Sequence, residues 1–247
     1  MHLDIVDLRA FYDSPLGQVA ERSIGTALQS IWSPLSGERL VGLGHTAPWL
    51  DRFAPDAERV ISLQVARHGA MKWPAGKSCS TALVFDEELP LPDASIDRIL
   101  LVHTLEHCEA ARETLTELWR VLAPGGRLVI VVPNRRGVWA RLDHTPFGAG
   151  RPYSAGQLSR LLVANSFTPT ASATALGFPP MPGRWWHRSA GGVERLTRKT
   201  MPMVAGAIVM EATKRIHQGV PARQRKSRRV FVPVLAPQGA AKDRGEG

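Results

Sequence analysis

Leu89-Pro90-Leu91-Pro92-Asp93-Ala94-Ser95-Ile96-Asp97, continued by Arg98-Ile99-Leu100-Leu101-Val102-His103 and later by Leu122-Ala123-Pro124-Gly125-Gly126-Arg127-Leu128-Val129-Ile130, decides the fold. It reads as turn, apolar strand, helix, tight Pro-Gly-Gly turn, apolar strand. Two short apolar runs joined through a helix predict parallel strands buried on both faces. In such sheets, ligands bind beyond the carboxyl ends of the strands.

The same residues resemble the class I S-adenosylmethionine-dependent methyltransferases, in particular the branch acting mostly on small molecules. There an LPxPDxSxD segment enters the fourth strand and an L-x-P-G-G turn enters the fifth. The resemblance covers roughly residues 35 to 175 and implies an α/β fold: a Rossmann-like, doubly wound, mostly parallel seven-stranded sheet with an antiparallel C-terminal hairpin. It implies S-adenosyl-L-methionine as cofactor and transfer of a methyl group to a small-molecule or lipid-like acceptor.

Working outward, Arg39 to Gly44, Arg59 to Gln64, Ser80 to Phe85, Ile96 to Val102 and Arg127 to Val132 read as five strands, and Ala110 to Leu122 as an amphipathic helix. Ser154-Ala155-Gly156-Gln157 has the capping-box form and predicts a helix from Ala155. Phe167 to Leu176 and Gly206 to Ala212 complete the sheet. Residues 4 to 32 read as helix interrupted at Ser14-Pro15, forming an N-terminal cap over 1–34. The methyltransferase domain then spans 35–215, with a Pro- and Trp-rich, lid-like insertion near 177–203, and a basic, partly disordered tail spans 216–247. In the resembled family such N-terminal helices close over the cofactor, so Tyr12 either touches it or packs as a core aromatic.

The chain has 247 residues, 44% of them hydrophobic, enough for one domain with additions. No apolar run has the length of a membrane span, and the early acids at Asp4 and Asp7 do not read as a secretory leader, so a cytoplasmic location is expected. The two cysteines, Cys79 and Cys108, have neither disulfide-framework nor zinc spacing. The formal charge is +9, yet Arg184 to Arg229 alone holds twelve Lys or Arg against two Glu, so the remainder is close to neutral. The run Arg223 to Arg229 suits an anionic surface, membrane or nucleic acid, or simply a solvated tail.

The resemblance sets the cofactor at Gly42-Leu43-Gly44-His45-Thr46, where glycines let a backbone approach the ligand. Thr46 replaces the third glycine of that motif, and Leu40 stands where an acid is usual. Gln64 takes the place of the acid that accepts the ribose hydroxyls, a loss of charge-assisted bonding worth about 1–3 kcal/mol. Asp86 or Glu87 is the expected partner of the adenine amino group, and His103 to Leu105 the expected contact of the methionine half.

His103-Thr104-Leu105-Glu106-His107 also matches the inverted zinc-protease motif, which requires both histidines on one helical face. A strand ending at His103 opposes that geometry, so no metal is expected. His144 beside Asp143 is the candidate general base, the alternative being an ordinary loop histidine. Arg135, Arg136, Arg151 and Tyr153 either receive an anionic acceptor or anchor the following helix. Two other readings stand beside the enzyme: a catalytically silent binding or regulatory module of the same fold, and a nucleic-acid-binding methyltransferase. Against the latter, no Asn-Pro-Pro-Tyr or Asp-Pro-Pro-Tyr follows the fourth strand.

Overall fold

The structure is a computed structural model, and it describes residues 4–32, 35–76, 78–180 and 205–215. Its centre is one seven-stranded sheet ordered β3-β2-β1-β4-β5-β7-β6. The strands are β1 (Arg39–Gly44), β2 (Arg59–Val65), β3 (Thr81–Val84), β4 (Ile96–Val102), β5 (Leu122–Pro133), β6 (Phe167–Ala175) and β7 (Ala207–Lys214). Strands β1 to β5 pair in parallel, and β7 runs antiparallel to both β5 and β6. The expected mostly parallel sheet with its antiparallel end is thus present. The chain order reverses between β1 and β4, the point where α/β sheets open a crevice.

The continuous apolar run of β4 is explained by its two buried faces. Leu100 and Val102 join one core with Leu8, Ile24, Leu28 and Trp49, whereas Ile99 and Leu101 join a second with Leu115, Leu118, Leu158 and Leu162. Each such leucine stabilises the fold by about 1.5–3 kcal/mol. The first core lies under α1 (Ile5–Asp13), α2 (Pro15–Ile31) and α3 (Ala47–Phe53), and the second under α4 (Ala111–Val121) and α5 (Ala155–Ala164). Ser14 ends α1 and caps α2 by accepting from the Gly17 N–H, with Pro15 at the first helical position. Both halves of the Ser154–Gln157 capping box are formed.

The turn motif also has a mechanical purpose. Asp97 grips Arg39 through the guanidinium and the backbone N–H, which ties the starts of β4 and β1 together. The Arg39 guanidinium holds the Asp97 carboxyl below its usual range. Arg120 on α4 binds the carbonyls of Leu89 and Leu91 together with Asp93 and Glu117, clamping the Pro-rich turn beneath the helix. These clamps set the register that brings the other strand ends to one edge.

The insertion expected near 177–203 is described only as far as Pro180, and the basic run Arg223 to Arg229 lies outside the described residues. Among the described residues, no helix is long and apolar enough to cross a membrane.

Candidate active site

At the carboxyl edge of the sheet, Gly44 adopts φ +88°, and the chain turns so that the His45 N–H donates to the Val102 carbonyl at 3.0 Å. A Cβ at Gly44 would collide with the Thr104 hydroxyl and the Val102 carbonyl, so glycine is required here by a close approach of β1 to the β4 exit. The Thr104 hydroxyl seals that approach by donating to the Leu43 and Val102 carbonyls. Gly42 is needed for a different contact, because Thr46, just before α3, and Leu50 within it fill the space its Cβ would take. Leu43 and Leu105 are buried in the second core.

Gln64 and Asp86 stand at the ends of their strands, as expected, but both are engaged internally. The Gln64 amide donates to the Met71 carbonyl at 2.9 Å and accepts from the Met71 N–H at 2.7 Å. Asp86 is fully buried, pairs with Arg67, and accepts from the Cys108 thiol and the Thr114 hydroxyl. Glu87 is exposed, 3.9 Å from Arg67. His144 and its neighbour Asp143 are also exposed, and Tyr153 and Arg151 anchor the approach to α5 through backbone bonds to Pro133 and Glu106.

His103 follows β4 with φ +51°, a left-handed conformation costing a side-chain-bearing residue about 1–3 kcal/mol. Residues 103–107 form turns rather than a helix, so the zinc-protease geometry is not built. Among the described residues no three His, Cys, Asp or Glu side chains gather as metal ligands. The strained turn instead places His103 Nδ1 3.1 Å from Glu106 Oε1 and Nε2 2.8 Å from the Tyr12 hydroxyl. All three side chains are buried. Burial works to raise the Glu106 carboxyl, but the His103 hydrogen bond and the charges of His103 and His107 outweigh it and hold the group below its usual value. Burial, with Glu106 and Glu21 nearby, pushes the Tyr12 phenol well above its usual value.

The Tyr12 ring lies nearly parallel to His45, centroids 5.0 Å apart, and meets Trp49 edge-on. Burial, and then proximity to His103, lowers the His45 imidazole to about 3, so it stays neutral. Its Nε2 is buried with no hydrogen-bond partner. Tyr12 and His45 form one wall of a cavity of about 450 Å³ beyond β1 and β2, completed by Arg9, Asp13, Glu21, Ala47, Pro48, Met71, Lys72 and Ala75. Of the strand-end residues expected to contact the cofactor, His45 lines this cavity, and so does Tyr12, weighed from the sequence as a cofactor contact or a core aromatic. No local signal in the sequence announces the reach of Tyr12 to His103.

This strand order and the glycine bend after β1 are those of the Rossmann-like fold of class I methyltransferases. Residues 41–130 match the family model described as a methyltransferase domain. The chain is 37% identical over 82 residues to a protein of Mycolicibacterium smegmatis named as a probable S-adenosylmethionine-dependent methyltransferase, covering 32% of each chain. It is 30% identical over 87 residues to a ubiquinone/menaquinone biosynthesis C-methyltransferase of Rubrivivax gelatinosus, covering 35% of this chain and 32% of that one. The chain therefore spans about a third of the length of these curated relatives. A solved S-adenosylmethionine-dependent methyltransferase of Thermotoga maritima superposes with a TM-score of 0.60 over 85% of this chain and 96% of its own, at 16% identity, which establishes the fold.

Proposed function

We propose that the chain is an S-adenosylmethionine-dependent methyltransferase acting on a small, lipid-like acceptor. The observation that carries this reading is the cavity, whose lining fits the cofactor's chemistry. S-adenosylmethionine combines a sulfonium and an ammonium with a carboxylate and a nucleoside. Asp13 and Glu21 offer negative charge, Arg9 and Lys72 positive charge, and the Tyr12 and His45 rings a flat surface. The orphaned His45 Nε2 would gain a partner from a bound nucleoside or amino-acid group.

When bound, the cofactor supplies an electrophilic methyl carbon. The chain's own residues orient the acceptor in line with that carbon and exclude water, which accounts for most of the acceleration such a displacement needs. The apolar part of the lining, Ala47, Pro48, Met71 and Ala75, suits a hydrophobic acceptor, and the likeness to a quinone C-methyltransferase supports an aromatic one. We assign the cap to 1–34, the catalytic domain to 35–215 and a cytoplasmic setting, with any anionic surface engaged by the basic segment beyond 215.

The silent-module reading is favoured by one observation, the internal engagement of Gln64 and Asp86. Isothermal titration calorimetry separates the two readings. Micromolar affinity for S-adenosylmethionine is expected, and millimolar or absent binding would transfer the assignment to the silent module. The nucleic-acid reading is tested by gel shift across a salt series, where binding is expected to be absent even at low salt.

A further inference from the structure

We propose that Tyr12, His103 and Glu106 form a buried proton relay, reaching the cavity through Tyr12, which lines it, that receives the proton the acceptor loses on methylation. The inference rests on the methyltransferase reading and assigns to that site a proton path that its binding residues do not supply. Its parts come from two places far apart in sequence: Tyr12 from α1, and His103 and Glu106 from the turn after β4.

The protonation pattern follows from the contacts. An ionised Glu106 can only accept, so it fixes the proton of His103 on Nδ1. That leaves Nε2 with a free lone pair, and the Tyr12 hydroxyl donates to it. Glu106 Oε2 is buried and has no hydrogen-bond partner. A carboxylate so poorly satisfied gains from any positive charge placed beside it, and protonation of His103 provides that charge at 3.1 Å. In this arrangement the relay has one open proton site, the His103 Nε2 lone pair that the Tyr12 hydroxyl faces.

The step balances. As the acceptor atom bonds the methyl carbon, the carbon–sulfur bond breaks and leaves its electron pair on sulfur, which becomes a neutral thioether. The acceptor's own proton passes to the Tyr12 oxygen while the Tyr12 proton passes to His103 Nε2, so no free phenolate accumulates. The imidazolium then rests against Glu106 until the product leaves, when the proton returns through the Tyr12 hydroxyl to solvent in the emptied cavity. His45, stacked on Tyr12, stays neutral and adds no opposing charge. Among the described residues, the other charged or titratable groups around the relay are Glu21 beside Tyr12, His107, His68 and Tyr153 on the Glu106 side, and Arg67 behind His68.

Tyr12 is the catalytic residue in this scheme, and His103 and Glu106 act through it as positioning residues. ¹⁵N NMR of the imidazoles in the full chain, without cofactor, tests the resting state directly. At pH 8 a neutral His103 ring protonated on Nδ1 is expected, with the Nε2 resonance moving downfield in Tyr12→Phe as its hydrogen bond is lost. A doubly protonated ring, or an Nε2 indifferent to Tyr12→Phe, overturns the relay.

Turnover provides the second readout, with radiolabelled S-adenosylmethionine as donor and 1,4-naphthohydroquinone as acceptor probe. Glu106→Gln is expected to lower kcat ~100-fold at neutral pH, to move the acid limb of the kcat profile to lower pH, and to leave calorimetric affinity for S-adenosylmethionine within about twofold. An acid limb that stays where it is overturns the relay. Absence of cofactor binding in the unaltered protein would instead remove the methyltransferase reading, and failure to methylate the quinol would remove the quinone-type acceptor. The ring-nitrogen spectrum decides the relay in both cases.

Discussion

Gln64 clasps the backbone of Met71 in both directions, its amide nitrogen donating to the Met71 carbonyl and its amide oxygen accepting from the Met71 N–H. A carboxylate can fill only half of that arrangement. The uncharged residue at the end of β2 therefore belongs to the loop that shapes the cavity floor, where Met71 and Lys72 face inward. Gln64→Glu, which would restore the acid usual in the resembled family, is expected to destabilise the protein by about 1–3 kcal/mol because the part-buried Met71 carbonyl loses its donor and faces a carboxylate oxygen instead. Urea denaturation measures this. Affinity for S-adenosylmethionine, followed by calorimetry, is expected not to rise.

The two cysteines differ sharply in environment. Cys79 is exposed, whereas Cys108 is buried and donates to Asp86 at 2.9 Å. Burial, the hydrogen bond to Asp86 and the charge of that carboxylate all push the Cys108 thiol far above its usual value. Since the thiolate is the reactive form, the native chain at pH 8 is expected to show one fast-reacting thiol towards a disulfide reagent and a second at least ~100-fold slower. Cys79→Ser should abolish the fast phase, and denaturation should release Cys108.

Acid should weaken the fold in a definite window. Burial, with neighbouring positive groups, lowers His45 to about 3 and His68 to about 4, against 6.5 in the open chain. Between pH 6.5 and the folded values the unfolded chain takes up protons that the folded chain refuses, so stability is complete above pH 6.5 and declines as pH falls. The slope reaches at most about 1.4 kcal/mol per pH unit for each imidazole, and less for His68 because it feels more solvent. Asp97, Glu106 and Glu117, all held below their usual values, add losses of the same sign at lower pH. Urea midpoints at pH 7.5 and 5 should separate clearly in the unaltered protein and draw together in a His45→Gln, His68→Gln double variant.

The fold was legible because its signals are local. The apolar run of β4 needs two buried faces, and the Ser154–Gln157 box caps α5 wherever that helix packs. The Pro-Gly-Gly segment, expected as a turn before the strand, instead lies within β5 at a register shift, with Gly125 at φ +76°. The site was legible only as an address. Gly44, Gln64, Asp86 and His103 lie at or just past the carboxyl ends of β1 to β4, but partner choice there is set by loops. Gln64 turns to Met71, Asp86 to Arg67, and His103 to Tyr12, 91 residues away, none of which follows from spacing. The His103–Glu106 pair was visible in sequence only as part of a metal motif, because its third member comes from α1.

The two glycines of the bend after β1 should respond differently to alanine. At Gly42 the obstacles are side chains, chiefly the Thr46 hydroxyl, followed by Leu50. Thr46 thus stands where a third glycine is usual and uses the space that Gly42 leaves open. Gly42→Ala is expected to cost about 1–3 kcal/mol by overpacking, and adding Thr46→Gly should recover about 1 kcal/mol or more of that loss, a coupling that a double-mutant cycle detects. At Gly44 the obstacles include the Val102 carbonyl, which is backbone, and φ is +88°. Removing the Thr104 side chain relieves only part of the clash and none of the backbone strain, and it forfeits the hydroxyl's bonds to the Leu43 and Val102 carbonyls, so Gly44→Ala with Thr104→Ala should be no more stable than Gly44→Ala alone in chemical denaturation. Rescue at Gly44 but not at Gly42 would mean that the bend is shaped by side-chain packing rather than by the approach of β1 to β4.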